Sequence, residues 1–323
     1  TTKILDFLFY GEDDKALVAG YYLDYYSTLR IWDVETGDEI YEWECPYKIT
    51  SAKFSKDGNF IAIACKDQAI AVVNIKEDKS KILSFEEGEI YALEIFSNSS
   101  RVFVDNYDGL DLWIDGSSGE IVELQNSQHA SNLKLSQDGS MVAGISQSDR
   151  KNIYIWDVNS GNLKWTITAK DMFDICAFSD NGLFLVTGGD NSISIWSLVD
   201  GTLQNSYAFD TTWYINDLKV SPDNSKIGIA SSGGFATVIE VSTGKQIGGT
   251  GGHNIESISF SPDSNLVATS DRSGVTRVVD LSTNQTLAIL SFGAKSGNGI
   301  QFSEHTQKIL TSGFLSVSLW DFS

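Results

Sequence analysis

The sequence predicts an all-β fold assembled from repeated copies of one antiparallel, four-stranded unit. Three observations carry that prediction. Strand-type apolar runs recur about every 8–12 residues, separated by turns rich in Asp, Asn, Gly and Ser. No segment keeps a helical hydrophobic period. The chain also resembles itself at a period near 41 residues.

The repeat has two signatures. "LRIWDVETG" at Leu29–Gly37 returns as "LDLWIDGSSG", "IYIWDVNSG" and "ISIWSLVDG", decays to "IAVVNI", "ATVIEVSTG" and "TRVVDLSTN", and closes as "VSLWDF". The anchors are Trp32, Val73, Trp113, Trp156, Trp196, Ile239, Val279 and Trp320, spaced by 41, 40, 43, 40, 43, 40 and 41 residues. Ahead of an anchor stands a second signature, "AKFSKDGNFIAIA" at Ala52–Ala64, which recurs as "LKLSQDGSMVAGI", "CAFSDNGLFLVTG", "LKVSPDNSKIGIA" and "ISFSPDSNLVATS". It reads as a strand, a tight polar turn and a second apolar strand. The anchor lies on the third strand, and segments such as "EIYEWE" and "NLKWTI" supply the fourth.

These residues resemble the WD40 family of β-propellers, over essentially the whole chain. The resemblance implies a single propeller domain, residues 1–323, of about eight four-stranded antiparallel blades, the last lacking its fourth strand. The alternative is seven blades plus an extra terminal unit. Radial repetition of this kind leaves only short, protected strand edges. The family's Gly-His survives intact at Gly252-His253, with His129 near the equivalent place three units earlier, and its turn Asp matches at Asp67 and Asp190. No unit carries the full His, Asp and Trp network. The chain opens on Thr1 rather than Met and stops before a fourth strand for the last unit, which predicts a segment excised from a longer chain.

Composition narrows the function. The chain is 41% hydrophobic and 11% aromatic, ordinary for a folded protein, with a formal net charge of −20. Residues 1–160 hold 14 basic and 28 acidic side chains, and residues 161–323 hold 9 and 15. Such acidity repels phosphate backbones and argues against nucleic acid and anionic membranes as partners. Cys45, Cys65 and Cys176 form an odd, unpatterned set, read as free thiols in a reducing, cytoplasmic setting. No apolar run approaches the roughly 18 residues of a membrane span.

Catalytic and metal motifs are missing. His129, His253 and His305 stand in no ligand spacing, and the cysteines do not complete a zinc set. "GGTGG" at Gly248–Gly252 lacks the Lys-Ser/Thr ending of a phosphate loop, "DGSSG" at Asp115–Gly119 is a turn, and "GEDDK" at Gly11–Lys15 lacks the alternating ligands of a calcium loop. No metal, cofactor or catalytic residue is expected. An enzyme with a central-funnel carboxylate or metal site is the alternative, and a structural module of a larger assembly is another.

The resemblance then implies a protein-binding scaffold, a monomeric domain or a subunit of a larger complex. Its contact face would carry the loops that leave second strands and those that enter first strands. Function concentrates on loops held by a scaffold. "GYYLDYYSTLRIWD" places Tyr22 at a strand end and Tyr25 and Tyr26 in such a loop, with Tyr21 or Tyr22 packed inward and Trp32 assigned to the core. Tyr47, Tyr107, Asp108, Trp213 and Tyr214 fall on the same face, as do Met172 and Phe173, although Phe173 aligns with a buried position. Trp213 matches no core Trp of the repeat. An aromatic patch with an acidic rim suits a basic peptide or domain.

Overall fold

Several repeats fold around one device, a serine that closes the turn between the first two strands. In the computed structural model, which describes residues 2–10, 15–22, 27–66, 69–84, 90–96, 100–106, 111–115, 121–124, 130–189, 192–209, 213–291, 297–306, 308–313 and 316–321, Ser55 Oγ accepts the Phe60 amide at 2.9 Å and donates to Asp57 at 2.5 Å. Asp57 in turn accepts the Asn59 amide at 3.1 Å, and Gly58 takes φ +68°. A residue with a Cβ is strained at that φ, so glycine holds the position. The device recurs at Ser136–Asp138, Ser221–Asp223 and Ser261–Asp263, where Asn224 and Ser264 take the positive φ that glycine takes at Gly58 and Gly139.

The carboxylates of the later three turns, Asp138, Asp223 and Asp263, titrate low. The Ser136 hydroxyl holds Asp138 below its usual 3.8, and the Ser261 hydroxyl does the same for Asp263. Burial alone would raise Asp223, but its bonds to Ser221 and Lys226 overcome that and lower it. A carboxylate with a depressed folded pKa contributes stability above its unfolded value and loses it as pH falls through the folded value. The melting temperature is therefore expected to hold from neutral pH to about pH 4 and to fall below it. Thermal melts down to pH 2 check this, and Asp263→Asn should flatten the decline.

The chain divides into two compact units, Thr1–Ala169 and Lys170–Ser323. The first holds four four-stranded antiparallel sheets, each in sequence order. They are β1 (Thr2–Tyr10), β2 (Lys15–Tyr22), β3 (Thr28–Asp33) and β4 (Glu39–Glu44); β5 (Ile49–Phe54), β6 (Phe60–Cys65), β7 (Ala69–Asn74) and β8 (Lys79–Ser84); β9 (Ile90–Ile95), β10 (Arg101–Asn106), β11 (Asp111–Asp115) and β12 (Ile121–Glu123); and β13 (Ala130–Leu135), β14 (Met141–Ser146), β15 (Asn152–Asp157) and β16 (Leu163–Thr168). Facing first strands of this unit carry alternating charge at one register position: Asp6, Lys53, Glu94 and Lys134. Lys53 lies 3.6 Å from Asp6 and Lys134 lies 3.5 Å from Glu94. Asp6 also accepts the Phe54 amide at 2.8 Å, which latches the first sheet to the second.

The second unit holds β17 (Ile175–Phe178), β18 (Phe184–Gly189), β19 (Ser192–Ser197) and β20 (Leu203–Ala208); β21 (Ile215–Val220), β22 (Lys226–Ser231), β23 (Phe235–Glu240) and β24 (Gln246–Gly251); β25 (Ile255–Phe260), β26 (Leu266–Asp271), β27 (Val275–Asp280) and β28 (Gln285–Ser291); and a three-stranded sheet of β29 (Gly297–Phe302), β30 (Lys308–Gly313) and β31 (Val317–Asp321). Seven sheets are thus four-stranded. That count is the alternative drawn from the sequence, seven blades plus a small extra sheet, and the terminal unit shows three strands among the described residues. Here Asp217 accepts the Ile258 amide at 3.1 Å, a second latch between successive sheets. Among the described residues there is no helix long and apolar enough to cross a membrane.

All eight anchors lie on third strands, as the repeat predicts. Val73, Trp156, Trp196, Ile239 and Val279 are buried, whereas Trp32 and Trp320 are half-buried. Trp32 is therefore not the core residue expected. Tyr22 stands edge-on to it at 6.1 Å and covers one flank of the indole only.

The blade-stiffening network survives in fragments. Trp196 Nε1 donates to Thr187 Oγ1 at 2.9 Å, and Trp320 Nε1 to Thr311 Oγ1 at 2.8 Å. In the seventh sheet Val279 replaces the tryptophan, and the buried Thr269 hydroxyl, at the register position of Thr187, has no partner. A buried polar group without a bond costs about 1–3 kcal/mol. Thr187→Val is expected to destabilise by about that amount, because it orphans the indole N–H. Thr269→Val is expected to leave stability unchanged or raise it. Urea unfolding of both variants checks the contrast.

Candidate protein-interaction surface

The sequence-predicted contact residues fall into three groups. Tyr25, Tyr26, Tyr107 and Asp108 lie outside the described residues, as do His129, Asp67 and Asp190. Tyr22 and Tyr47 are described, Tyr22 exposed and Tyr47 half-buried. Tyr21 is buried and Tyr22 is 37% exposed, so the two do point to opposite sides. The Arg30 guanidinium stacks 4.9 Å over the Tyr22 ring and is held by Glu39 at 3.2 Å and Glu42 at 2.7 Å. Tyr47 is half-buried against the core of the first two sheets. It stands two residues ahead of β5. Met172 is exposed and Phe173 is buried, edge-on to Trp196 at 6.2 Å.

Trp213 and Tyr214 form the third group, 46% and 66% exposed. They precede β21, whose first residue pairs with the end of β22, so they share an end of the sheet with the turn that leads into β23. Tyr214 is fixed there: its amide donates to Ser232 Oγ at 3.1 Å and its carbonyl accepts the Ser232 amide at 2.9 Å. The Trp213 indole lies against Gly233, where a Cβ would stand 2.4 Å from the ring. Only glycine permits that approach. Phe235, two residues on, opens β23 and is 58% exposed.

Trp213 and Phe235 border a groove of about 630 Å³ between the fifth and sixth sheets. Ile215, Ile229 and Ile239 line it together with Ser206, Thr237 and Gln246, and among the described residues no charged side chain does. Tyr207 closes the far end. Its hydroxyl donates to the Val241 carbonyl at 2.9 Å, and its ring packs on Gly244, which takes φ +69°. β20 flanks the groove as the outermost strand of its sheet, and all of its residues but Tyr207 are exposed. A concave, mostly apolar site with a few polar groups is the usual form of a binding pocket. The arrangement offers shape and apolar area rather than acid–base or metal chemistry, and the described residues hold no cluster able to bind a metal.

Sequence reasoning singled out Trp213 and Tyr214 but not Phe235 and Tyr207. Phe235 carried a signal, since the third strands β3, β7, β19 and β27 open instead on Thr28, Ala69, Ser192 and Val275, none of them aromatic. Tyr207 gave none, because its role depends on a glycine 37 residues away.

Comparisons with known proteins agree with the fold. The family model described as "WD domain, G-beta repeat" matches residues 162–197 and 244–280. A coronin-like protein of Saccharomyces cerevisiae is 27% identical over 202 residues, 60% of this chain and 26% of that protein. The anaphase-promoting complex subunit cdc20 of Dictyostelium discoideum is 26% identical over 220 residues, 57% of this chain and 42% of that protein. A serine-threonine kinase receptor-associated protein of the same organism is 27% identical over 212 residues, covering 64% and 70%. The chain thus spans well under two thirds of the first two relatives. The crystal structure of the computationally designed Ika8 protein superposes with a TM-score of 0.80 at 18% identity, over 99% of this chain and 96% of that one. Two repeats that match the WD40 family model, in a fold with seven four-stranded antiparallel sheets, are consistent with a β-propeller of degenerate WD40 repeats.

Proposed function

We propose that the chain is a non-catalytic scaffold, one domain over residues 1–323, that binds partner proteins through the face carrying Trp213, Tyr214 and Phe235. The observation that supports this most is the groove, uncharged among the described residues and bordered by the exposed Trp213 and Phe235, with Trp213 seated against Gly233. Large aromatics with a polar tip are frequent interface anchors, each worth about 2 kcal/mol or more when central. Two of the relatives named above are a complex subunit and a receptor-associated protein, which fits an adaptor role. Tyr22, Tyr25, Tyr26, Tyr47, Tyr107 and Asp108 would form a secondary contact area, where the acidity of residues 1–160 favours a basic partner.

The test is a quantitative pull-down with purified wild type and Trp213→Ala, after matching their melting temperatures. Partners held through the groove should be lost with the variant, with affinities weakened about 30-fold, the equivalent of 2 kcal/mol. Unchanged binding would move the contact away from this face.

A further inference from the structure

Cys45 and Cys65 are 20 residues apart and in no motif, yet their sulfurs lie 2.8 Å from each other. Both are free and buried, 5% and 3% exposed. Cys45 follows β4 of the first sheet and Cys65 ends β6 of the second. Backbone hydrogen bonds fix both ends: the Cys45 amide donates to the Ser27 carbonyl at 2.7 Å, and the Lys66 amide to the Lys48 carbonyl at 2.7 Å. A disulfide needs about 2.05 Å between sulfurs, so a small side-chain movement suffices. We infer that Cys45 and Cys65 form a reversible dithiol–disulfide pair that a small oxidant of the hydroperoxide class converts into a covalent staple between the first and second sheets.

The two sulfurs have different roles. Cys45 Sγ accepts the Tyr47 amide at 3.4 Å and shares a hydrogen bond with Cys65, which lowers its pKa, while the same bond raises that of Cys65. Thiolate is the nucleophilic form. Cys45 thiolate attacks one peroxide oxygen, the O–O bond breaks, and Cys45 sulfenic acid and hydroxide form. The Cys65 sulfur then attacks the sulfenic sulfur; the S–O bond breaks, and the Cys65 proton leaves with that hydroxyl as water. Both sulfurs are oxidised, and one peroxide is reduced to water and hydroxide. Loss of charge on Cys45 weakens its bond to the Tyr47 amide, so the staple reaches a residue of the secondary contact area. Burial of the pair favours a small oxidant over a bulky disulfide.

The test treats the purified wild-type chain with hydrogen peroxide, then counts thiols after denaturation and maps the peptides. Thiols are expected to fall from the three of the reduced chain to one. A Cys45–Cys65 cross-linked peptide should appear, Cys176 should stay reduced, and dithiothreitol should restore all three. In Cys65→Ser, dimedone should trap a sulfenic acid on Cys45, whereas in Cys45→Ser it should leave Cys65 unlabelled. Because the wild-type cross-link is read first, a variant that fails to fold does not decide the outcome. Three persistent thiols, a cross-link through Cys176, or irreversible oxidation without a Cys45–Cys65 peptide would overturn the inference.

Discussion

Gly189→Ala is expected to destabilise the chain by about 3 kcal/mol or more and to deform one wall of the groove. A Cβ at Gly189 would stand 1.8 Å from the Met172 carbonyl oxygen, 2.8 Å from its carbon and 3.1 Å from the Phe173 Cα. All three are backbone atoms, so no rotamer change relieves the clash. The segment must move, and Phe173, 1% exposed and packed edge-on to Trp196, moves with it. Overpacking a filled site typically costs about 1–3 kcal/mol, and more when backbone must shift. At about 2–4 °C per kcal/mol for a chain of this size, the melting temperature should fall by roughly 6–12 °C. Gly251→Ala is the control, since its nearest atom is the Gly234 oxygen at 4.0 Å. Equal melting of the two variants would contradict the tight seat at Gly189.

Trp156→Ala is expected to cost about 3–5 kcal/mol, the range for truncating a fully buried aromatic. Trp156 is wholly buried in a cluster with Phe103, Leu133, Val142 and Tyr154, whose ring lies 5.7 Å away. It also packs against Gly144, where a Cβ would come within 3.3 Å of the indole. The half-buried Trp32 should lose clearly less on the same truncation, although both occupy the anchor position. Chemical denaturation of the two variants measures the difference, and equal losses would show that burial does not rank the anchors.

That contrast shows where the sequence was legible. Anchor spacing located every third strand, because a period-2 apolar run and, in most repeats, a serine-closed turn are local properties. How deeply an anchor is buried depends instead on neighbouring side chains, so Trp32 and Trp156 read alike and differ in the fold. The network carboxylate shows the same limit. In the seventh sheet Asp271, two residues ahead of the family's turn position, accepts from Arg277 at 2.7 Å and from the His253 amide at 3.4 Å.

The proposed contact surface was half legible for the same reason. Trp213 stood out because no repeat position requires it, but the groove it borders is assembled from β20, β22 and β23 with two glycine seats, and no short stretch encodes it. The Cys45–Cys65 contact was invisible for want of a spacing rule: two sheets bring the sulfurs together, not a motif.

The most direct measurement is amide hydrogen exchange on the chain alone and bound to a partner recovered in the Trp213-dependent pull-down. Protection should concentrate in Leu203–Ala208 and Phe235–Glu240, with little change in β4 to β8. Protection confined to β4 to β8, or absent from both groove strands, would contradict a contact surface centred on Trp213.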